Sequence, residues 1–416
     1  MGAPPGAKPE HATPTWINIL IMSTIQSTLR SVISHSPPVK PGNIRKILML
    51  YEEQIPMLGD CCKRFDKFKY LSLYFNNPFL QINFTNPATK YHEGLLKHNP
   101  YIHCISEQRW DDLDLASFDA VLCVMYDEEK FLGFLDRKYG AQIAGGSFPL
   151  AVYSMSEVIL TSNPAGKYVF PVLEGLREYL HRLQPGELYL STAEREWGDQ
   201  WLEAKGVEAN EDLFILLDST LVPGKLLRMS VFLKILAGML EKPNAKVLLF
   251  DEKNDGKEAV YRRCLGSRCG DRMIFATGLS LRQVLCLIGS RYTRLVLGPC
   301  TGLMHCTSSI YNNYVSNGMD PGDVPLIITY TGKYNETNYR VDVWWNDSPL
   351  VDCLLLKQTG NGKEIVLLKD LTEAEKISNH SLACTEYTEQ LLNHFINERI
   401  QERSGRKAAR RHAQPA

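Results

Sequence analysis

One segment in the second half of the chain, Arg294 to His305, has the composition of a phosphate-binding turn. An apolar strand-like stretch leads into a turn containing Gly302 and then into a helix-like sequence. The amides at a helix start favour a phosphate, and Thr301 could cap that helix or bond a phosphate oxygen. His305, one helical turn further on, could face the same ligand. The competing interpretation is an ordinary strand–helix junction with His305 buried in the core.

A second loop, from Leu217 to Arg228, carries hydroxyls, a glycine and two cations ahead of a helix-like stretch. Ser219, Thr220 and Lys225 are suited to a diphosphate, although Lys225 could equally be a surface residue at a helix start. The loop is not a P-loop, because Gly-x-x-x-x-Gly-Lys-Ser/Thr is absent. No Gly-x-Gly-x-x-Gly follows a strand, which argues against a dinucleotide-dependent dehydrogenase.

An acidic residue, Asp60, follows the first predicted strand of the chain. A carboxylate opposite phosphate-binding loops is placed to take a proton from an acceptor hydroxyl. The alternative is a helix-capping or first-turn residue that complements the helix dipole.

Short apolar runs alternate with helix-length segments and predict the elements that carry these residues. Near-continuous apolar strands indicate parallel sheets buried on both faces. The first set of predicted strands is Lys46–Tyr51, Gln81–Phe84, Ile102–Ile105, Asp119–Met125 and Pro149–Tyr153. The second set is 213–217, 246–250, 272–276, 294–297 and 325–330, with helices over 226–241, 257–265, 280–289 and 302–311. The pattern predicts two doubly wound α/β domains facing a cleft, where ligands bind at the carboxyl ends of the strands.

Charge, hydropathy and cysteine spacing exclude several classes of protein. The 46 Lys+Arg against 47 Asp+Glu give a net charge of −1, so no global field attracts nucleic acid or an anionic membrane. No run approaches the ~20 apolar residues of a membrane span, and no secretory signal is evident. We therefore expect a cytoplasmic protein with at most peripheral membrane contact. The eleven Cys include no CxxC pair, so reduced thiols and no metal site are expected.

Taken in chain order, the motifs resemble those of the glycosyltransferase family 9 heptosyltransferases, which build the lipopolysaccharide inner core. Gly298 to His305 is similar to the family's Gly-x-Asp-Thr-Gly-x-x-His, the most specific of the set. Three further segments resemble the family's Gly-Asp loop, its lysine helix start and its Leu-Ser-Leu segment: Leu58-Gly59-Asp60, Lys225 with Phe232, and Leu279-Ser280-Leu281. The resemblance covers about residues 44–330.

The resemblance implies a GT-B fold and inverting, metal-independent transfer of a sugar from a nucleotide-diphosphate-sugar donor, ADP-sugar being favoured. No separate cofactor is implied. Asp60 resembles the general base on the acceptor loop with Gly59, and the donor ligands are implied to be Ser219, Thr220, Lys225, Glu258, Cys300, Thr301, Gly302 and His305. Glu258 is the looser match, for a carboxylate on the nucleotide ribose. The acceptor is implied to be a saccharide or glycolipid of the lipopolysaccharide type.

The sequence pattern and the resemblance together predict six segments of the chain. A flexible extension with a short helix occupies residues 1–43, an acceptor domain 44–192 and an interdomain connection 193–211. A donor domain then occupies 212–370, a helix 371–403 and a basic disordered tail 404–416.

The sequence departs from the family at Cys300, where the family has Asp. The change removes a carboxylate otherwise available to donor hydroxyls and leaves two other functions open. One is a catalytically silent relative that binds a nucleotide sugar or glycan. The other is a GT-B-shaped epimerase or hydrolase of nucleotide sugars.

Overall fold

The computed structural model describes residues 41–52, 57–65, 67–85, 91–147, 151–156, 167–173, 175–176, 179–180, 185–333, 345, 348–360, 362–377 and 381–413. The predicted extension over 1–43 therefore lies outside the described residues, except for a 3₁₀ turn at Pro41–Asn43. The chain forms two compact units, and each combines segments that are distant in sequence. The domain boundaries given above remain predictions.

The first unit takes its described residues from 1–54, 72–87 and 102–179. Its sheet is wholly parallel, in the order β3-β2-β1-β4-β5. The strands are β1 Lys46–Tyr51, β2 Phe79–Phe84, β3 Cys104–Ser106, β4 Ala120–Val124 and β5 Ala151–Ser154. Every residue of β4 is buried, as its apolar sequence requires.

Residues 168–173 are irregular in the structure. Pro171 has no amide to donate, and the amides of Val169 and Phe170 donate to the buried carboxylate of Glu128 at 2.8 and 3.0 Å. Side-chain-to-backbone bonding therefore holds this segment.

The second unit takes its residues from 55–71, 88–101 and 180–416. Its sheet has the order β12-β11-β10-β9-β6-β7-β8 and is parallel except for β12. The strands are β6 Asp212–Leu216, β7 Ala245–Asp251, β8 Met273–Thr277, β9 Thr293–Pro299, β10 Leu326–Tyr330, β11 Val351–Thr359 and β12 Gly362–Leu367.

Helices flank both sheets. Those of the described residues are α1 Leu58–Phe65, α2 Phe68–Tyr74, α3 His92–Leu96, α4 Glu128–Ala144, α5 Thr192–Ala204, α6 Met229–Leu240, α7 Lys257–Leu265, α8 Leu281–Ile288, α9 Gly302–Ser316, α10 Glu373–Ile377 and α11 Glu389–Ala413. Ser191 and Ser280 begin α5 and α8 with capping boxes, a local signal readable in sequence. The last helix continues past the predicted end at 403, since Arg, Lys and Ala are good helix formers.

Strand order places the ligand-binding crevice of the second sheet. The chain forms β6, β7 and β8 outward in one direction and then returns to lay β9 on the other side of β6. The connections that leave β6 and β9 therefore run in opposite directions along the sheet. Open α/β sheets bind ligands in the crevice between two such strands. Buried apolar side chains on both sides of this point, among them Leu216 and Leu297, hold the two strand ends rigidly.

The sequence pattern did not predict β11 and β12, which extend the second sheet beyond β10. The pair is an antiparallel hairpin on the sheet edge. The sequence holds the dipeptide Asn361-Gly362, and Asn-Gly is typical of hairpins, so a local signal for the hairpin was present.

Candidate functional site

A cavity of about 610 Å³ opens at the strand ends of the second unit. Its walls come from the start of α1, the loops after β6 and β7, the start of α8 and the junction of β9 with α9. The predicted site residues that line it are Gly59, Asp60, Ser219, Thr220, Lys225, Cys300, Thr301, Gly302 and His305. The structure thus brings together residues that lie far apart in the sequence.

The N-terminus of α9 opens into this cavity without a side-chain cap. Thr301 occupies the capping position in an extended conformation, and its side chain makes no capping bond. Its hydroxyl oxygen is buried and has no hydrogen-bond partner among the described residues. The first amides of a helix have no intrahelical acceptor, and α9 is fifteen residues long. Together, these amides and the Thr301 hydroxyl form a site suited to an anion.

Two glycines allow α1 to pack directly on this helix start. A Cβ on Gly302 would lie 2.6 Å from the Cβ of Leu58 and 2.7 Å from the amide nitrogen of Gly59. A Cβ on Gly59 would lie 3.2 Å from Cδ2 of His305. The contact places Asp60, in the first turn of α1, beside the anion site.

Asp60 is held in a partly dehydrated position. Burial raises the pKa of its carboxyl, while the nearby positive charges of Arg64 and Lys225 act in the opposite direction. The net shift is upward, which makes the ionised carboxylate a stronger base than an exposed aspartate.

Lys225 supplies the cation of the site from the short turn Pro223–Lys225. Its Nζ donates to the backbone carbonyl of Cys300 at 3.4 Å, so the ammonium lies at the β9–α9 junction. Thr220 accepts a hydrogen bond from the amide of Val222 at 3.3 Å and stabilises the same loop.

Glu258 is the one predicted site residue that does not line the cavity. Its carboxylate pairs with Arg262 one turn along α7, at 2.7 Å, and both side chains are about half exposed. The acidic residues that line the cavity from this region are Glu252 and Asp255, which follow β7 directly. Their position in the sequence could have identified them, because residues just after a parallel strand reach the crevice.

An ionic network on the cavity wall was not predicted from the sequence. Lys257 Nζ donates to Asp218 Oδ1 at 2.7 Å, and the hydroxyl of Tyr261 donates to Asp218 Oδ2 at 2.7 Å. Asp218 and Lys257 both line the cavity. No sequence motif links the three residues, because the β6 loop and α7 meet only through sheet packing.

Trp345 is a further residue beside the cavity that the sequence pattern did not predict. Its indole ring stacks on His305, with centroids 4.0 Å apart and the planes at 11°. Its Nε1 donates to Cys300 Sγ at 3.3 Å. Trp345 has 3% of its surface exposed.

Neither a metal-ligand cluster nor a bilayer-spanning helix is found in the described ranges. No cluster of three or more His, Cys, Asp or Glu side chains there could hold a metal ion. None of the helices in those ranges combines the length and the apolar character needed to cross a bilayer.

Comparison with known proteins gives matches at the level of structure. No protein-family profile matches the sequence, and no curated protein matches it. The structure resembles Escherichia coli ADP-heptose LPS heptosyltransferase II with a TM-score of 0.54 and 13% identity, covering 86% of this chain and 99% of that one. It also resembles a family 9 glycosyl transferase of Veillonella parvula, with a TM-score of 0.50 and 12% identity, covering 77% and 88%. The chain therefore has the two-domain α/β GT-B fold of the family 9 heptosyltransferases.

Proposed function

We propose that the protein is a glycosyltransferase that moves a sugar from a nucleotide diphosphate donor to a saccharide or lipopolysaccharide-type acceptor. The observation that carries the proposal is one cavity in which a partly buried carboxylate, Asp60, lies beside an uncapped helix start and the ammonium of Lys225. Sugar transfer needs a base and a site that stabilises the leaving diphosphate. The fold likeness to an ADP-heptose transferase supports ADP as the nucleotide.

In the proposed reaction, Asp60 accepts the proton of an acceptor hydroxyl as its oxygen attacks the anomeric carbon. The bond from that carbon to the diphosphate breaks, and the electron pair leaves with the phosphate. The α9 amides, Thr301 and Lys225 stabilise the negative charge that develops there. Attack from the face opposite the leaving group inverts the anomeric configuration.

Metal independence is part of the proposal, because protein groups are assigned to the diphosphate charge. Transfer is then expected to persist in excess EDTA. Loss of transfer in EDTA, restored by added Mg²⁺, would refute this part and leave the remainder standing.

Calorimetric titration with ADP, GDP, UDP and their glucose conjugates tests the donor site. We expect one diphosphate to bind, and Lys225→Ala to weaken it about tenfold through loss of a charged hydrogen bond. The matched control is Lys234→Ala, since Lys234 is 62% exposed, pairs with Glu389 and does not line the cavity. Absence of diphosphate binding to the unmodified protein at millimolar concentration contradicts the proposal.

Turnover separates a transferase from a silent binding relative. The sugar nucleotide selected by titration is incubated with a panel of saccharides and lipid A-type glycolipids, and nucleotide release is followed. Release that depends on an acceptor and is abolished in Asp60→Asn supports transfer. Release or sugar isomerisation without an acceptor would instead identify a hydrolase or epimerase.

A further inference from the structure

Trp345 contacts Cys300, just before Thr301, and His305, one helical turn after it, without lining the cavity itself. Its ring covers one face of the His305 imidazole, and its indole N–H bonds the Cys300 thiol. His305 and Cys300 both line the cavity, whereas Trp345 is buried behind them. One side chain therefore supports both ends of the β9–α9 turn.

The stack restricts how the His305 ring can turn. Rotation about χ2 of a histidine has a broad profile and is not held in a narrow well by the side chain alone. Here one face of the imidazole lies 4.0 Å from the indole, and its Cδ2 edge faces Gly59. Rotation of the imidazole away from its nearly parallel orientation to the indole would break the stack.

The helix directs that ring toward the anion site. The amide of His305 bonds the carbonyl of Thr301 at 3.3 Å, so His305 lies one turn into α9. Side chains on a helix lean toward its N-terminus, which here is the uncapped end. A ring nitrogen held in a fixed plane at that end is suited to donate to a phosphate oxygen.

We propose that Trp345 is a positioning residue for the donor: it holds His305 in the ring orientation that binds the diphosphate. This inference rests on the proposed function, because it assigns a diphosphate to the α9 N-terminus. Affinity for the diphosphate should then depend on an aromatic ring at position 345, although that ring does not contact the ligand.

The test uses calorimetry to compare binding of ADP with binding of adenosine. If the titration above selects another nucleotide, the pair is GDP with guanosine or UDP with uridine. In Trp345→Leu, we expect affinity for the diphosphate to fall about tenfold and affinity for the nucleoside to be unchanged, as for loss of one charged hydrogen bond. Trp345→Phe keeps a flat ring against His305 and should restore affinity to within about threefold. The matched control, Trp201→Leu, replaces a tryptophan of α5 that packs on Lys205 and should bind both ligands normally.

A double variant separates positioning from general damage to the fold. If Trp345 acts through His305, Trp345→Leu adds no further loss to His305→Ala, because coupled residues are not additive. Equal weakening of nucleoside and diphosphate, additive losses, or no rescue by phenylalanine would overturn the inference. Normal diphosphate binding in Trp345→Leu overturns this inference alone, whereas absence of binding to the unmodified protein overturns the proposed function and this inference with it.

Discussion

Gly302 and Leu58 meet so closely that a single added carbon would not fit between them: a Cβ on Gly302 would lie 2.6 Å from the Cβ of Leu58. The starts of α9 and α1 therefore touch almost backbone to backbone. This contact brings the candidate base, Asp60, to the anion site at Thr301, so the glycine is a structural requirement of the cavity.

Gly302→Ala is expected to separate the two helix starts. The overpacked Cβ should cost about 1–3 kcal/mol of stability and weaken diphosphate binding at least tenfold, because the α9 amides and α1 shift apart. Chemical denaturation and calorimetry measure the two effects. Gly360→Ala is the control, since a Cβ there has no neighbour within 4 Å. Unchanged binding in Gly302→Ala would show that the close approach does not shape the site.

Asp60→Asn is expected to stabilise the protein at neutral pH while abolishing turnover. Burial raises the pKa of the Asp60 carboxyl above its ordinary value of 3.8, so folding free energy is lost as the pH rises above 3.8, and the full cost is reached above the raised pKa. The gain from asparagine should disappear as the pH falls below 3.8, where both states are protonated. Denaturant unfolding at several pH values checks the sign.

For the same variant, turnover should fall about a hundredfold or more, the usual loss of a general base. Diphosphate affinity should be equal or higher, because a negative charge near Lys225 has been removed. A variant that loses diphosphate binding but retains turnover would exclude Asp60 as the base.

Lys257→Met is expected to weaken diphosphate binding about tenfold by leaving the charge of Asp218 uncompensated at the cavity wall, a cost of about 1.4 kcal/mol. In the structure, Lys257 and Tyr261 both donate to that carboxylate. Adding Asp218→Asn to Lys257→Met should restore affinity, because the repelling charge is gone. If calorimetry shows no restoration, Lys257 binds the ligand directly.

Glu194→Gln is expected to destabilise the second unit by about 1.5–3 kcal/mol, the usual contribution of hydrogen bonds to a charged group, because the Glu194 and Arg282 side chains are partly buried. Arg282 donates to both Glu194 oxygens, at 2.9 and 2.7 Å, and to the carbonyls of Gly94 and Tyr189. Glu258→Gln removes the charge of a pair in which both side chains are about half exposed, and it should change stability by less than about 1 kcal/mol. Similar losses in the two variants would show that burial adds nothing to the Arg282 pair.

The same carboxylate predicts how stability depends on acid. Burial would raise the pKa of Glu194, but hydrogen bonds from Arg282 and Ser191 outweigh it and lower the pKa to about 2. Its contribution to stability is therefore present above the ordinary value of 4.5 and is lost as the pH falls toward about 2. Unfolding followed between these values should be steeper in pH for the unmodified protein than for Glu194→Gln.

Local signals in the sequence were enough to predict most of the regular structure. Apolar runs predicted β1 and β4 nearly to the residue, and α7 matches its predicted bounds of 257–265. The capping serine of α8 marked its start. These features depend on residues that are neighbours in the chain, so a single sequence carries them.

Local signals did not predict the antiparallel pairing of the edge hairpin or which carboxylate lines the cavity. β12 pairs antiparallel on an otherwise parallel sheet, which alternation of strands and helices does not predict. Glu258 follows the expected strand, yet its position on α7 directs it to Arg262, while Glu252 lines the cavity.

The sequence by itself determined the two α/β repeats and the residue types that could bind a phosphate or accept a proton. Only the tertiary structure decided that Gly302 meets Leu58 and that Trp345 stacks on His305. Patterns along a chain report local conformation and burial, which follow from neighbouring residues. Contacts between distant segments depend instead on how sheets and helices pack, and the shape of the cavity follows from that packing.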